Sequence, residues 1–207
     1  MTVNLLSTAQ PAYLKILSEA VAAFRGESSN RPSADAVVNA LLQAEKAAKQ
    51  QRLVYPFQPL LGHWQLCFAT GTRKARQRGG ILLGRGWYMP KVAKAQISFN
   101  ALEGSSHGEI GNEVRLGPLL VKFTGPCRYL GKKKNLLAFD LTHMQIALFG
   151  RTLYGGNVRS SKIQTQAFEH QPISKLPFFA FFLITEDYIA ARGRGGGLAI
   201  WTRERGR

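Results

Sequence analysis

Two hydrophobic periods divide this chain. From Tyr13 the apolar positions Leu14, Leu17, Val21 and Phe24 recur every three to four residues, and beyond Asn30-Arg31-Pro32-Ser33 a second stripe runs through Val37, Val38, Leu41, Leu42, Ala44 and Ala48. That spacing predicts two helices with one buried face each, the first opened by Pro11 and ended by Gly26. From Leu60 the period becomes two: Trp64, Leu66, Phe68 and Thr70 alternate with His63, Gln65, Cys67 and Ala69, the pattern of a half-buried strand. Further strands are expected over 92–99, 108–116, 119–124, 128–130, 136–141, 145–148, 178–190 and 198–202. Turns are expected at Gly79-Gly80, Gly104, Gly117-Pro118, Gly125-Pro126, Gly131 and Gly155-Gly156.

From Tyr188 to Trp201 two period-2 runs flank the basic, glycine-rich stretch Arg192-Gly193-Arg194-Gly195-Gly196-Gly197, which predicts a terminal hairpin. Gly62-His63-Trp64 opens the first strand. A Gly-x-Trp at one end of the sheet and an Arg-bearing hairpin at the other suggest that first and last strands meet. The expected fold is α+β, mainly β: an antiparallel barrel over 56–207, preceded by a helical cap over 1–55. Eight strands would leave about eighteen residues per strand and turn, and such a barrel holds roughly one small ligand. The lining expected from the pattern is Trp64, Leu66 and Phe68 with Phe99, Val121, Phe123 and Phe139, which calls for an apolar ligand. Residues 178–184 are apolar on both strand faces; Phe178, Ala180, Phe182 and Ile184 cannot share a face with Phe179, Phe181 and Leu183. One face can line a cavity and the other needs a cover, for which the two helices are the expected source and a lipid surface or protein partner the alternative.

Composition narrows the chemistry. The longest apolar run, 176–184, contains Pro177 and falls far short of the ~20 residues that a spanning helix requires. Cys67 and Cys127 form no CxxC and have no histidine cluster nearby, so two buried, reduced thiols are expected, without a disulfide framework or zinc site. His63, His107, His143 and His170 are scattered without metal-ligand spacing. Glu186-Asp187 are neighbours that point to opposite strand faces, not a converging acid–base pair. Neither a catalytic set nor a resident cofactor is expected. The N-terminus lacks the order of a secretory signal, so the expected location is the cytoplasm.

Charge adds a partner class. The sequence has 28 Lys and Arg against 12 Asp and Glu, a formal net charge of +16, and no acid between Glu45 and Glu103. Within 71–91, Arg73, Lys74, Arg76, Arg78, Arg85 and Lys91 are interleaved with Trp87 and Tyr88, a composition suited to an anionic membrane interface. At about 1 kcal/mol each, the six cations would supply a reversible attachment of about 6 kcal/mol. Nucleic acid ranks second, because only charge supports it and no recognition motif does.

Three stretches carry a resemblance: the helical preface ending before Pro56 and Pro59, L-L-G-H-W-Q-L-C-F-A-T from Leu60 to Thr70, and T-E-D-Y-I-A-A-R-G-R-G-G-G-L-A-I-W-T-R from Thr185 to Arg203. In these the chain resembles the plastid lipid-associated proteins, or fibrillins, of plastids and cyanobacteria, over residues 34–203. The resemblance implies a lipocalin-like barrel without a shared catalytic motif, binding lipid, isoprenoid quinone or carotenoid. It also implies peripheral association with thylakoids, a photosynthetic-complex partner and, without a transit peptide, a cyanobacterial type. The motif residues are Gly62, Trp64, Asp187, Arg192, Gly193 and Arg203. By similarity to lipocalin-like barrels, Trp64 belongs at the closed end under an arginine, with Arg203 the candidate and Arg192 the runner-up, while Asp187 and Arg192 could pair across the hairpin. Bilin lyases and chaperones also use such barrels, which leaves a tetrapyrrole-handling alternative with Arg192 or Arg194 on a propionate.

Overall fold

The computed structural model describes residues 10–74, 81–101, 107–158 and 168–204. Two helices open it, α1 (Ala12–Arg25) and α2 (Ala34–Gln50). Gly26 ends α1 with φ +81°, a left-handed conformation that glycine adopts without a Cβ penalty. Ser33 caps α2, its side chain accepting the Ala36 N–H. Eleven strands follow among the described residues: β1 (Gly62–Lys74), β2 (Ile81–Tyr88), β3 (Ala93–Ala101), β4 (His107–Leu116), β5 (Leu119–Leu130), β6 (Leu136–Phe139), β7 (His143–Leu148), β8 (Arg151–Asn157), β9 (Phe178–Ile184), β10 (Tyr188–Gly193) and β11 (Leu198–Arg203).

Eight of these close a barrel in the order β4-β3-β1-β11-β10-β9-β6-β5, with β5 returning to β4, every pair antiparallel. The first and last strands meet: Trp64 opposes Arg203 and Leu66 opposes Trp201. Strand β2 continues outward from β1, and β7-β8 continue outward from β5. The barrel is therefore splayed at one end, because β1 exchanges β3 for β2 beyond Gln65, and β5 exchanges β6 for β7 on the far side of Pro126.

Two apolar layers hold this together. Inside the barrel Leu60, Trp64, Ile97, Phe99, Ile110, Tyr129, Leu137, Phe181, Ile189 and Trp201 pack as one cluster. Outside it, Leu17, Val21, Val37, Leu41 and Ala44 of the helices pack on Cys67, Phe68, Phe182, Tyr188, Ala190, Leu198 and Ile200. The helices thus cover the outer wall of the barrel. Strands β10 and β11 alternate strictly between the layers, as period 2 requires: Tyr188, Ala190, Leu198 and Ile200 face out, Ile189, Ala191, Ala199 and Trp201 face in.

Several sequence expectations are corrected by β-bulges and glycines. A register shift between Leu66 and Phe68 inserts Cys67 as an extra residue, so Cys67 and Phe68 both face the helices. A matching shift on β9 places Phe182 and Leu183 together on the helical side and returns Ile184 to the interior, against the strict alternation expected for 178–184. The expected strand over 178–190 is two strands, turned at Thr185, whose hydroxyl bonds both the N–H and the carbonyl of Tyr188. Gly125-Pro126 and Gly155-Gly156 lie inside β5 and β8 and make no turn. A Cβ on Gly125 would stand 1.9 Å from the Asp140 carbonyl oxygen, so the glycine admits the chain crossing from β6 to β7. Strands β2 and β8 were missed by the pattern. Gly79-Gly80 and Gly104 lie outside the described residues.

Candidate functional site

The lower barrel is a plug. The short 3-10 turn Gln58–Leu60 crosses this end, and the Trp64 indole donates to the Leu60 carbonyl at 2.7 Å. The Arg203 guanidinium lies over the Trp64 ring, 4.1 Å from its centroid, and donates to the carbonyls of Pro59, Leu61 and Glu186. Arg25, at the end of α1, bonds the Asp187 carboxylate at 3.2 Å and the carbonyls of Asp187 and Arg203, joining the helical layer to this floor. Gly62 adopts φ +108°, and a Cβ there would stand 3.3 Å from an Arg203 nitrogen. Above the floor Phe99 meets Phe181 edge-on and Leu137 and Ile189 fill the centre.

Toward the opposite end some residues of the same inner cluster become partly exposed. Phe139 stacks on Phe179 at 5.1 Å, Phe179 meets Trp201 edge-on at 5.4 Å, and Leu66 and Ala199 are only half-buried beside them. The register extends the same face outward: Val121 opposes Val114 and Ile146, while Phe123 opposes Asn112 and Met144. All of these are partly exposed except Val114, which is exposed. Asn112 is the polar exception on an otherwise apolar surface. Floor, aromatic girdle and outward sheet form one apolar surface continuous with the barrel core, a candidate cup for an apolar molecule.

Of the predicted lining, Trp64 and Phe99 are plug, Leu66 and Phe139 border the cup, and Val121 and Phe123 form its outward wall. Phe68 is a correction, since the Cys67 bulge turns it onto Tyr88 at 5.1 Å under α2. Phe179, Trp201 and Ala199 were missed. In the sequence Trp201 only closes the hairpin pattern, and the β1–β11 pairing is what aims it inward.

The arginines are committed. Asp187 does not pair with Arg192; it takes Arg25, while Arg192 forms a two-pronged ion pair with Glu45 on α2 and donates to the Gly196 carbonyl. Glu45 is 8% exposed, and the hydrogen bond from Arg192 holds its carboxyl below the ordinary carboxylate range. Arg194 donates to the carbonyls of Ser174 and Lys175. Both guanidinium groups named for a propionate in the tetrapyrrole alternative are thus engaged by acceptors of the protein itself. Gly193 shapes the hairpin, its N–H donating to Gly197 and its carbonyl accepting from Gly196.

The described parts of the basic segment lie mostly on β1 and β2. Arg73 and Lys74 lie on β1, while Arg76 and Arg78 are outside the described residues. Arg85, Trp87 and Lys91 are exposed, but Tyr88 is corrected: its hydroxyl donates to Pro32, Phe68 meets its ring, and Arg31 covers it at 3.9 Å. Tyr88 is packed into the molecule.

A cleft of about 490 Å³ lies on β4, β5, β7 and β8, lined by Glu109, Lys122, Thr124, His143, Met144, Gln145 and Thr152 with Gly155 and Gly156. Gln145 bonds Thr152 and His143 bonds Thr142 there. Among the described residues no group of three or more His, Cys, Asp or Glu could hold a metal ion, and no helix is long and apolar enough to cross a membrane. Cys67 and Cys127 are free and buried, and burial pushes both thiols up to about 12. Fold and site define a class, the helix-covered antiparallel β-barrel with an apolar interior, compatible with binding small apolar molecules. No family model matches the sequence, and no curated protein matches it.

Proposed function

We propose that this protein is a non-catalytic carrier that takes one apolar molecule of lipid, isoprenoid quinone or carotenoid type into the cup and works at an anionic lipid surface. The observation that carries the reading is the continuity of the apolar wall from buried Phe139 and Trp201, through half-buried Phe179, onto the half-exposed Leu66, Val121 and Phe123. Such a wall removes hydrocarbon from water at about 25 cal/mol per Å² and needs no chemical step. The plug sets the depth, because Trp64, Phe99 and Phe181 leave the lower barrel to side chains. The motifs from Leu60 to Thr70 and from Thr185 to Arg203 support placing the lipid surface on a thylakoid, by the fibrillin resemblance, with a photosynthetic complex as protein partner.

Titration with a short-chain isoprenoid quinone tests the cup. Saturable quenching of tryptophan fluorescence and a 1:1 mass shift in native mass spectrometry are expected, both lost in Phe179→Glu while cooperative unfolding persists. Absence of saturable quenching, with no apolar molecule retained from the protein's own cells, removes the reading. A bilin that saturates the protein where the quinone does not transfers the ligand class to tetrapyrroles.

A further inference from the structure

The splayed end of the sheet has an edge that the cup does not use. Three turns lie side by side there. Ala93, just after the β2–β3 turn, opposes Leu116; Leu116 and Leu119 oppose each other across the β4–β5 turn; and Leu119 opposes Leu148, just before the β7–β8 turn. The Phe149 N–H donates to the Pro118 carbonyl at 3.0 Å and ties the last two turns together.

These turns present hydrophobic side chains to solvent. Phe149 is 80% exposed, Val92 76%, Leu153 66% and Leu116 54%. Leu42, Leu53 and Val54 aside, the large hydrophobic side chains left exposed among the described residues all belong to β2, β4, β5, β8 or the turns beside them. Phe149 has φ +49°, a left-handed conformation that a bulky side chain rarely adopts, and Leu153 is the extra residue of a bulge opposite Ile146 and Ala147. A turn that gains only from closing a hairpin would place Asn or Gly at such a φ.

Charge selects the partner. Residues 85–94, 114–120 and 146–154 contain Arg85, Lys91, Lys94, Arg115 and Arg151 and no acid. Among the described residues Arg115 pairs with Glu113 and Lys94 with Glu204, while Arg85, Lys91 and Arg151 are exposed and set the sign of the edge. Apolar side chains at turn tips, backed within a few residues by cations, match the layering of a bilayer surface, where hydrocarbon lies beneath anionic headgroups. Nucleic acid would use the cations and leave the aliphatic tips in water.

We infer that the turn edge formed by Val92, Leu116, Leu119 and Phe149, with Lys91 and Arg151, is a shallow insertion edge for an anionic lipid bilayer. It deepens the lipid-surface part of the proposed function and does not depend on the cup. Docking by this edge holds the splayed, apolar end of the sheet against the membrane, where an apolar molecule enters without crossing water.

The test uses the full chain and vesicles of phosphatidylcholine with or without phosphatidylglycerol. Co-sedimentation is expected with the anionic vesicles and not with phosphatidylcholine alone, and it weakens as salt rises. Val92→Ser with Phe149→Asn weakens it about tenfold or more, and Phe149→Asn suits the backbone at φ +49°. Lys91→Gln with Arg151→Gln weakens it about thirtyfold. Quinone quenching stays intact in both variants, which separates failure of the edge from failure of the cup. Anionic-vesicle binding unchanged by the tip variant, or binding of an RNA oligomer without any vesicle binding, overturns the inference.

Discussion

The Arg203 guanidinium stacks on the Trp64 ring and holds three backbone carbonyls, two from the segment before β1 and one from the β9–β10 turn. One side chain thus joins the entry to the barrel, its first strand and its last. The stacking is worth about 0.5–2 kcal/mol and each hydrogen bond about 0.5–1.5 kcal/mol. Arg203→Lys keeps the charge and loses the planar fork, so we expect a loss of about 1–3 kcal/mol in denaturant unfolding. Trp64→Ala should cost about 3–5 kcal/mol, because it empties the centre of the plug. An unchanged melting temperature in Trp64→Ala excludes the floor role.

The Glu45 carboxyl is held low by the Arg192 guanidinium, so its contribution to stability has a definite direction with pH. A carboxyl depressed in the folded state contributes fully above its ordinary value of 4.5 and progressively less as pH falls through the folded-state value. The stability difference between the protein and Glu45→Gln should be largest near neutral pH and shrink under acid conditions. A difference that stays constant from neutral pH down to pH about 2 excludes the linkage.

Burial raises the Cys67 and Cys127 thiols to about 12, leaving almost no thiolate at neutral pH. Neither should react with a maleimide in the native protein, and both should react after unfolding. Rapid native labelling of Cys67 contradicts its place beneath α1, where the thiol faces the Ala20 carbonyl at 3.9 Å. The same inertness makes a Phe149→Cys variant selectively labelable, so an environment-sensitive dye on it should shift to the blue on anionic vesicles.

At Gly125 even a methyl group collides with the Asp140 carbonyl, where β5 changes neighbours. We expect Gly125→Ala to lose about 1–3 kcal/mol. Gly195→Ala, with open space around the added carbon, should be near neutral in the same unfolding measurement.

The local signals were legible where one period held without interruption. Both helices, strands β3 and β4 and the terminal hairpin follow from apolar spacing and glycine placement, and meeting of the first and last strands follows from Gly62-His63-Trp64 read against the hairpin. Strands β2 and β8 were illegible because their glycines and arginines resemble loop composition, and only pairing with β1 and β7 makes them strands. Phe68 looked like lining because nothing in the residue types marks Cys67 as a bulge.

The sequence by itself determined both helices, the strands whose period runs unbroken, the meeting of first and last strands and the apolar character of the interior, since burial of a periodic face is a local property of spacing. Tertiary structure decided which phenylalanines face the cup, which arginine meets which carboxylate, and that the lower barrel is filled. Those outcomes depend on register between strands far apart in the chain, and a one-residue bulge reverses the face of every side chain beyond it.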